Sequence, residues 1–373
     1  MTKKCGEFET PVVEGKLLGL EVVRFACALA VLVWHYQHFY DVFGAPEFVR
    51  SAQPFHWALA LFYDYGLFGV QLFWGISGFI FFWKYGQAIA EGAVGGMKFF
   101  WLRFSRLYPL HIVTLLLVAV LQPMHVALVG NSFVYQGNDL PNFMLQLAMA
   151  SHWGPPIPYT FNGPIWSVSA EVFVYAVFFL AVRCFGPTDR MIIGATGASV
   201  AGQLAGWGSP ALACAGYFFA GACAARISLK TAAGDQRGPR WVAAAILLAV
   251  VGGVWMNGLT DNRAALPFVL LVAMPPLLFL AAQDWSILER WQRPIQLAGN
   301  LTYSSYLCHF PLQLIIAIAV AASGVALPVA SPLFLIAYLA ATLAISRVVY
   351  ERFERPAQTW IRSIKSARKV ALS

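Results

Sequence analysis

Ten stretches of about 20 predominantly apolar residues run through this chain, near 18–40, 61–83, 106–126, 164–182, 191–207, 209–225, 241–257, 265–282, 299–321 and 329–349. Each is long enough for a helix to cross the roughly 30 Å hydrocarbon core of a bilayer. The predicted fold class is therefore all-α: a polytopic membrane protein with about ten transmembrane helices. Composition excludes the soluble alternative, because 59% of the 373 residues are hydrophobic and only 11% charged, where a soluble domain has roughly half apolar and a quarter charged. No charged linker or second composition separates the spans, so residues 1–373 read as a single membrane domain.

A formal net charge of +8 in a soluble protein would suggest nucleic acid. Here the placement of the basic residues decides, and no nucleic-acid partner is expected. With the N-terminus inside, Lys3, Lys4, Lys16, Arg24, Lys84, Arg103, Arg106, Arg183, Arg226, Arg290 and their neighbours fall on cytoplasmic ends or loops. Of the 25 Lys and Arg, only Arg50 and Arg263 are left for the outer loops. This positive-inside asymmetry puts both termini in the cytoplasm. The tail over 350–373 reads as a basic interfacial helix facing anionic lipid. The first apolar stretch runs to Tyr40 without a small-residue cleavage site, so it is expected to stay as helix one.

Cys5, Cys27, Cys184, Cys214, Cys223 and Cys308 are scattered, form no CxxC pair and read as packing residues. His38, His56, His111, His125 and His152 show no metal-ligand spacing, and there is no HExxH motif, so no metal is expected. No Walker loop or strand-bound GxGxxG segment occurs either.

Ionisable groups inside apolar spans are costly and mark functional candidates. Arg24 and His35 stand eleven residues apart in the first span. On a helix that is a rise of about 17 Å and a net turn of about 20°, so both face one way. A long substrate along this stripe could be anchored at Arg24 and reach a catalytic imidazole at His35. The competing reading has Arg24 snorkelling to head groups and His35 bonding a neighbouring helix.

Glu171, in the Trp166, Ser167, Ser169, Glu171 group at the outer start of the fourth span, enters to about the depth of His35. A carboxylate beside an imidazole is a general-base arrangement, whereas a structural helix-to-helix bond is the alternative. Arg103 and Arg106 share a helical face and could clamp phosphates, though topology also supplies such a pair. Tyr303, Tyr306 and His309 share one side of the ninth span, and Ser77 sits among small neighbours that suggest close helix packing first and substrate contact second.

The stretch from Met124 to Gly163 has no Lys or Arg but holds Phe133, Tyr135, Asn138, Asp139, Asn142, Trp153, Tyr159 and Asn162. Aromatic faces and amides suit a sugar, and an interfacial aromatic belt would use many of the same residues.

Five segments, in order, resemble the acyltransferase 3 family of membrane-bound acyltransferases over most of the chain: Leu20 to His35, Gly69 to Phe79, Arg103 to Pro109, Trp166 to Glu171 and Leu301 to Pro311. Departures are Val172, where many members carry a second glutamate, and Glu21, ahead of the arginine. No appended extracytoplasmic hydrolase-like domain is expected.

The resemblance implies an enzyme that transfers an acyl group, usually acetyl, from cytoplasmic acyl-coenzyme A to a hydroxyl of an extracytoplasmic glycan or lipid-linked sugar. The acceptor would be an exopolysaccharide, an O-antigen or similar, and the location a bacterial inner membrane. Under it, Arg24, Arg103 and Arg106 hold the donor, and His35, oriented by Glu171, is the base or an acyl carrier. Ser77, Trp166, Ser169, Tyr306 and His309 contact substrate. No tightly bound cofactor is implied. The main alternative is a transporter or flippase of a glycan or lipid precursor, whose inverted repeats and matched broken helices are not visible; a non-catalytic partner of a polysaccharide synthesis complex is another.

Overall fold

The computed structural model describes residues 17–232, 234–256 and 265–370, the stretch 365–370 by backbone alone. Lys3, Lys4, Cys5, Lys16 and Arg263, used above for orientation and packing, lie outside these residues. Among the described residues every regular element is a helix, as a bilayer demands of segments that cannot give their backbone groups to water.

Helix α1 (Leu18–His35) runs on through a 3-10 turn to Asp41. Helices α2 (His56–Tyr65) and α3 (Gly69–Ala90) form one 35-residue segment. Helix α4 (Gly96–Val129) is followed by a short α5 (Leu140–Leu147), then α6 (Ile165–Phe185), α7 (Asp189–Leu204), α8 (Pro210–Thr231), α9 (Arg237–Met256), α10 (Leu266–Ala281) and a single turn, α11 (Ser286–Glu289). Helices α12 (Gln292–Ser323) and α13 (Pro332–Val349) follow. A π-helical turn (Tyr350–Glu354) then carries α13 into α14 (Arg355–Val370).

The ten apolar stretches coincide with helices over the described residues, among which eight segments are long and apolar enough to cross a membrane. Helices α7 and α10 have 16 residues each, a rise of only about 24 Å.

Local chemistry explains the starts. The Asp139, Thr188 and Ser209 side chains accept from the backbone N–H groups of Asn142, Met191 and Leu212 and cap α5, α7 and α8, with Pro210 just inside α8. Pro311 inside α12 has no N–H to give the Leu307 carbonyl, and Asn162 Nδ2 supplies that bond from outside the helix at 3.2 Å.

Two apolar cores hold the bundle. One joins α3, α6, α8 and α10 around Phe79, Phe81, Phe178 and Phe218. The other, around Tyr36, Phe39, Phe133, Phe310 and Tyr338, ties α1, α12 and α13 to the 130–164 connection. Helices α3 and α8 touch backbone to backbone: a Cβ added at Gly78 would overlap the Phe218 carbonyl oxygen, and one at Gly221 would overlap that of Gly75. Trp241, Leu248, Val251 and Trp255 of α9 point outward and exposed, an apolar face that suits lipid rather than water. Cys27, Cys184, Cys214, Cys223 and Cys308 are unpaired, and Cys27, Cys214 and Cys308 are buried.

One expectation needs correction: much of the Met124–Gly163 stretch is structural. Helix α4 extends to Val129, and Phe133 is buried, exchanging two backbone bonds with the Gln122 amide at 2.9 and 3.0 Å. Asn138 bonds the Tyr135 carbonyl and the Phe161 N–H, Asp139 is a cap, and Asn162 is fully buried against α12. Their polar capacity is used within the fold; Trp153 and Tyr159 keep exposed surface. The tail helix is anchored to the bundle along one face. Ala357, Gln358, Ile361 and Arg362 form the inner face of α14. The helix packs on α4, where Arg362 Nε donates to Ser105 Oγ at 3.1 Å.

Candidate active site

A cavity of about 390 Å³ lies among α1, α3, α4, α6, α12 and the π-turn. Three arginines from two helices line it. Arg24 Nη1 donates to both carboxylate oxygens of Glu21 at 3.0 and 2.9 Å, and its Nη2 donates to Thr302 Oγ1 at 3.1 Å. Gly299 leaves room for that carboxylate, since a Cβ there would overlap it. Glu21, a departure from the family pattern, is thus the residue that fixes the guanidinium.

Arg103 Nη2 donates to the Tyr85 hydroxyl at 2.8 Å, with the guanidinium carbon 4.6 Å from the Phe81 ring centroid. Arg106 pairs with Glu354 and lies 5.7 Å from the Tyr303 ring centroid. Fixed guanidiniums in a low-dielectric setting are suited to phosphate oxygens.

Further in, Glu171 has the Ser77 and Tyr175 hydroxyls as hydrogen-bonding neighbours, while its buried Oε1 has no partner among the described residues. The cavity ends at Ser167 and Tyr306, whose hydroxyls are 2.7 Å apart. Beyond this wall sits a histidine group. The Tyr306 and His309 ring centroids are 6.0 Å apart, His309 and His35 4.7 Å, and His35 and His38 5.0 Å. His38 lines a second cavity at the far end of α1, about 350 Å³, with Gln37, Tyr40, Asp41 and Phe48.

His35 Nδ1 lies 2.8 Å from the Val31 carbonyl oxygen and His309 Nδ1 3.3 Å from that of Ser305. A carbonyl only accepts, so both Nδ1 atoms carry the proton and both Nε2 atoms keep a lone pair. Gln313 braces the group, donating to the His35 carbonyl at 2.9 Å and accepting from His38 Nδ1 at 3.1 Å.

The arginines, Ser77, Glu171 and Tyr306 are therefore brought to one cavity, while His35 and His309 lie behind its Tyr306 wall and do not line it. Three residues are placed differently from the expected arrangement. Glu171 does not orient His35, because the Val31 carbonyl does so while Glu171 faces Ser77 and Tyr175. Trp166 is not in the cavity lining; it packs edge-on to Trp74 and beside Tyr159. Ser169 holds the 130–164 connection instead, accepting from the His152 N–H at 3.1 Å and, through its carbonyl, from Trp153 Nε1 at 2.9 Å.

Sequence reasoning passed over Thr302, Tyr175, Tyr350, Gln358 and Glu354. Tyr175 carried a findable signal, one helical turn after Glu171; the others had none. Near the loop, burial lowers the proton affinity of His152, opposed by a bond to the Ile157 backbone. Among the described residues no group of three His, Cys, Asp or Glu side chains is placed to hold a metal ion.

Three fixed guanidiniums thus line one end of the cavity, and the paired imidazoles of His35 and His309 stand beyond the other, inside an apolar bundle. Residues 17–351 match the acyltransferase domain model, and the chain belongs to that family. A curated relative, the acyltransferase MdmB of Streptomyces mycarofaciens, is 28% identical over 170 residues, 45% of this chain and 40% of that protein. The match thus spans less than half of the relative's length. No solved structure matches the chain.

Proposed function

We propose that this acyltransferase is an O-acyltransferase that moves an acetyl group from acyl-coenzyme A to a hydroxyl of an extracytoplasmic or lipid-linked glycan. The observation that carries the reading is the line from Arg24, Arg103 and Arg106, through the cavity, to the histidine pair behind Tyr306. The donor's polyanionic head suits the guanidiniums. Its extended arm is of the same order as the roughly 17 Å rise from Arg24 to His35.

In the direct route, the acceptor oxygen attacks the thioester carbonyl carbon while its proton passes to His35 Nε2. The C–S bond then breaks, and the departing thiolate takes up that proton. Hydroxyls of Tyr306 or Ser77 would donate to the oxyanion. A two-step route, with Nε2 first carrying the acyl group, uses the same residues.

In this reading α7 and α10 also cross, making ten spans, with the arginine end and both termini in the cytoplasm of a bacterium whose inner membrane holds the protein. The acceptor, an exopolysaccharide or O-antigen-type glycan, enters past His38 from the opposite end. Purified protein in lipid nanodiscs, given acetyl-coenzyme A, should release coenzyme A thiol at a rate that depends on added glycan acceptor. Glycan movement without thiol release would overturn the proposal.

A further inference from the structure

Among the described residues Glu354 is the most deeply buried carboxylate that the proposed chemistry does not use. It is 2% exposed, sits on the π-helical turn between α13 and α14, and lies beyond the family match, which stops at residue 351. Its Oε1 accepts from Arg106 Nη1, and its Oε2 accepts from Ser304 Oγ on α12. Glu354 is the only polar partner of Arg106 among the described residues, and the Arg106 side chain remains 23% exposed. Tyr350 and Gln358, one turn before and after Glu354, line the cavity themselves. The segment joining α13 to α14 is thus a wall of the cavity. A buried anion without partners would be costly, so the site was built to hold a cation in one place.

We infer that Glu354 is a positioning residue for the donor site. It takes one edge of the Arg106 guanidinium, and its bond to Ser304 ties that edge to α12. The remaining N–H groups of Arg106 are then directed at an anionic oxygen of the ligand in the cavity. Without the carboxylate, Arg106 keeps its charge but must be ordered by the ligand itself, which weakens binding. This inference rests on the reading that the cavity takes the phosphate-bearing donor.

The test measures the acetyl-coenzyme A dependence of thiol release, together with direct binding of coenzyme A, for wild type, E354Q, R106A and the double variant in nanodiscs. E354Q should raise KM and the coenzyme A Kd about tenfold, as for loss of one charge-assisted bond, with kcat within about twofold. Adding E354Q to R106A should change neither constant, because the residue acts only through Arg106. A more conservative variant, E354D, should show a smaller rise in KM with an unchanged melting temperature, which keeps the test open should E354Q fail to fold. An unchanged KM in E354Q or E354D, or a full E354Q effect on top of R106A, overturns the positioning role alone. Wild-type protein that binds no coenzyme A overturns the donor reading and this inference with it.

Discussion

The imidazoles of His35 on α1 and His309 on α12 face each other with ring centroids 4.7 Å apart, and each gives its Nδ1 proton to the carbonyl four residues earlier on its own helix. Two lone-pair nitrogens are therefore presented side by side by the same local device. Among the described residues the buried Nε2 of His309 has no partner, as holds for one ring nitrogen of His111 and of His125 on α4; His309 differs in having a second imidazole beside it. Such an open buried acceptor fits a proton or acyl group in transit.

The two rings are expected to act as a unit. His35→Ala should lower acceptor-dependent thiol release by about 10²- to 10⁴-fold, the range for losing a general base. His309→Ala should cost at least about tenfold, and the double variant should be little worse than His35→Ala. Initial rates on protein matched for membrane insertion check this; fully additive losses would separate the two rings.

At the other end of the stripe, Arg24→Ala should abolish acylation while leaving insertion intact. Glu21→Gln should act through the same guanidinium. It leaves Arg24 charged but loosens a bond made with both carboxylate oxygens, so KM for acetyl-coenzyme A should rise by roughly threefold to tenfold. Saturation curves for the two variants decide it, and an unchanged KM in Glu21→Gln would show that Thr302 alone holds the guanidinium.

The placement of Arg24 and His35 on one inward stripe was legible because it depends only on helical geometry. The closeness of Gly75 and Gly78 to α8 was legible because small residues in a span permit backbone approach. Pairing of Glu171 with His35 was not: matching depths along two helices says nothing of the direction each side chain takes around the bundle. The loop misled for a different reason. Asn138, Asp139 and Asn162 have the amides and carboxylates a sugar would need, but the Tyr135 and Phe161 backbone, the start of α5 and the Pro311-freed carbonyl use them first. Glu354 could not be read at all, since the π-helical turn shifts the phase of the tail, and in the run Glu351-Arg-Phe-Glu-Arg355 nothing distinguishes one acid from the other.

Close packing of α3 and α8 makes its own prediction. Gly221→Ala would drive a methyl into the Gly75 carbonyl, and since the obstacle is backbone, no side-chain rotation relieves it. The cost should be about 1–3 kcal/mol, as for overpacking elsewhere. Gly253→Ala, where a methyl meets open space, is the control. Thermal unfolding in one detergent should show a lower transition for Gly221→Ala than for the control.

The connection over the histidine end should respond to acid. Burial holds the His152 imidazole below its usual value of 6.5, and its backbone and side chain are tied to Ser169 and Ser151. A histidine that binds its proton less well folded than unfolded destabilises the folded form as pH falls below the unfolded value; above it, both forms are neutral and nothing is lost. The 130–164 segment should therefore grow more sensitive to a soluble protease as pH drops from about 7.5 to about 5.5, with cleavage normalised to an unrelated peptide at each pH. His152→Gln, which cannot take up a proton, should flatten that profile. A profile equally steep in both proteins would move the sensitivity to another group.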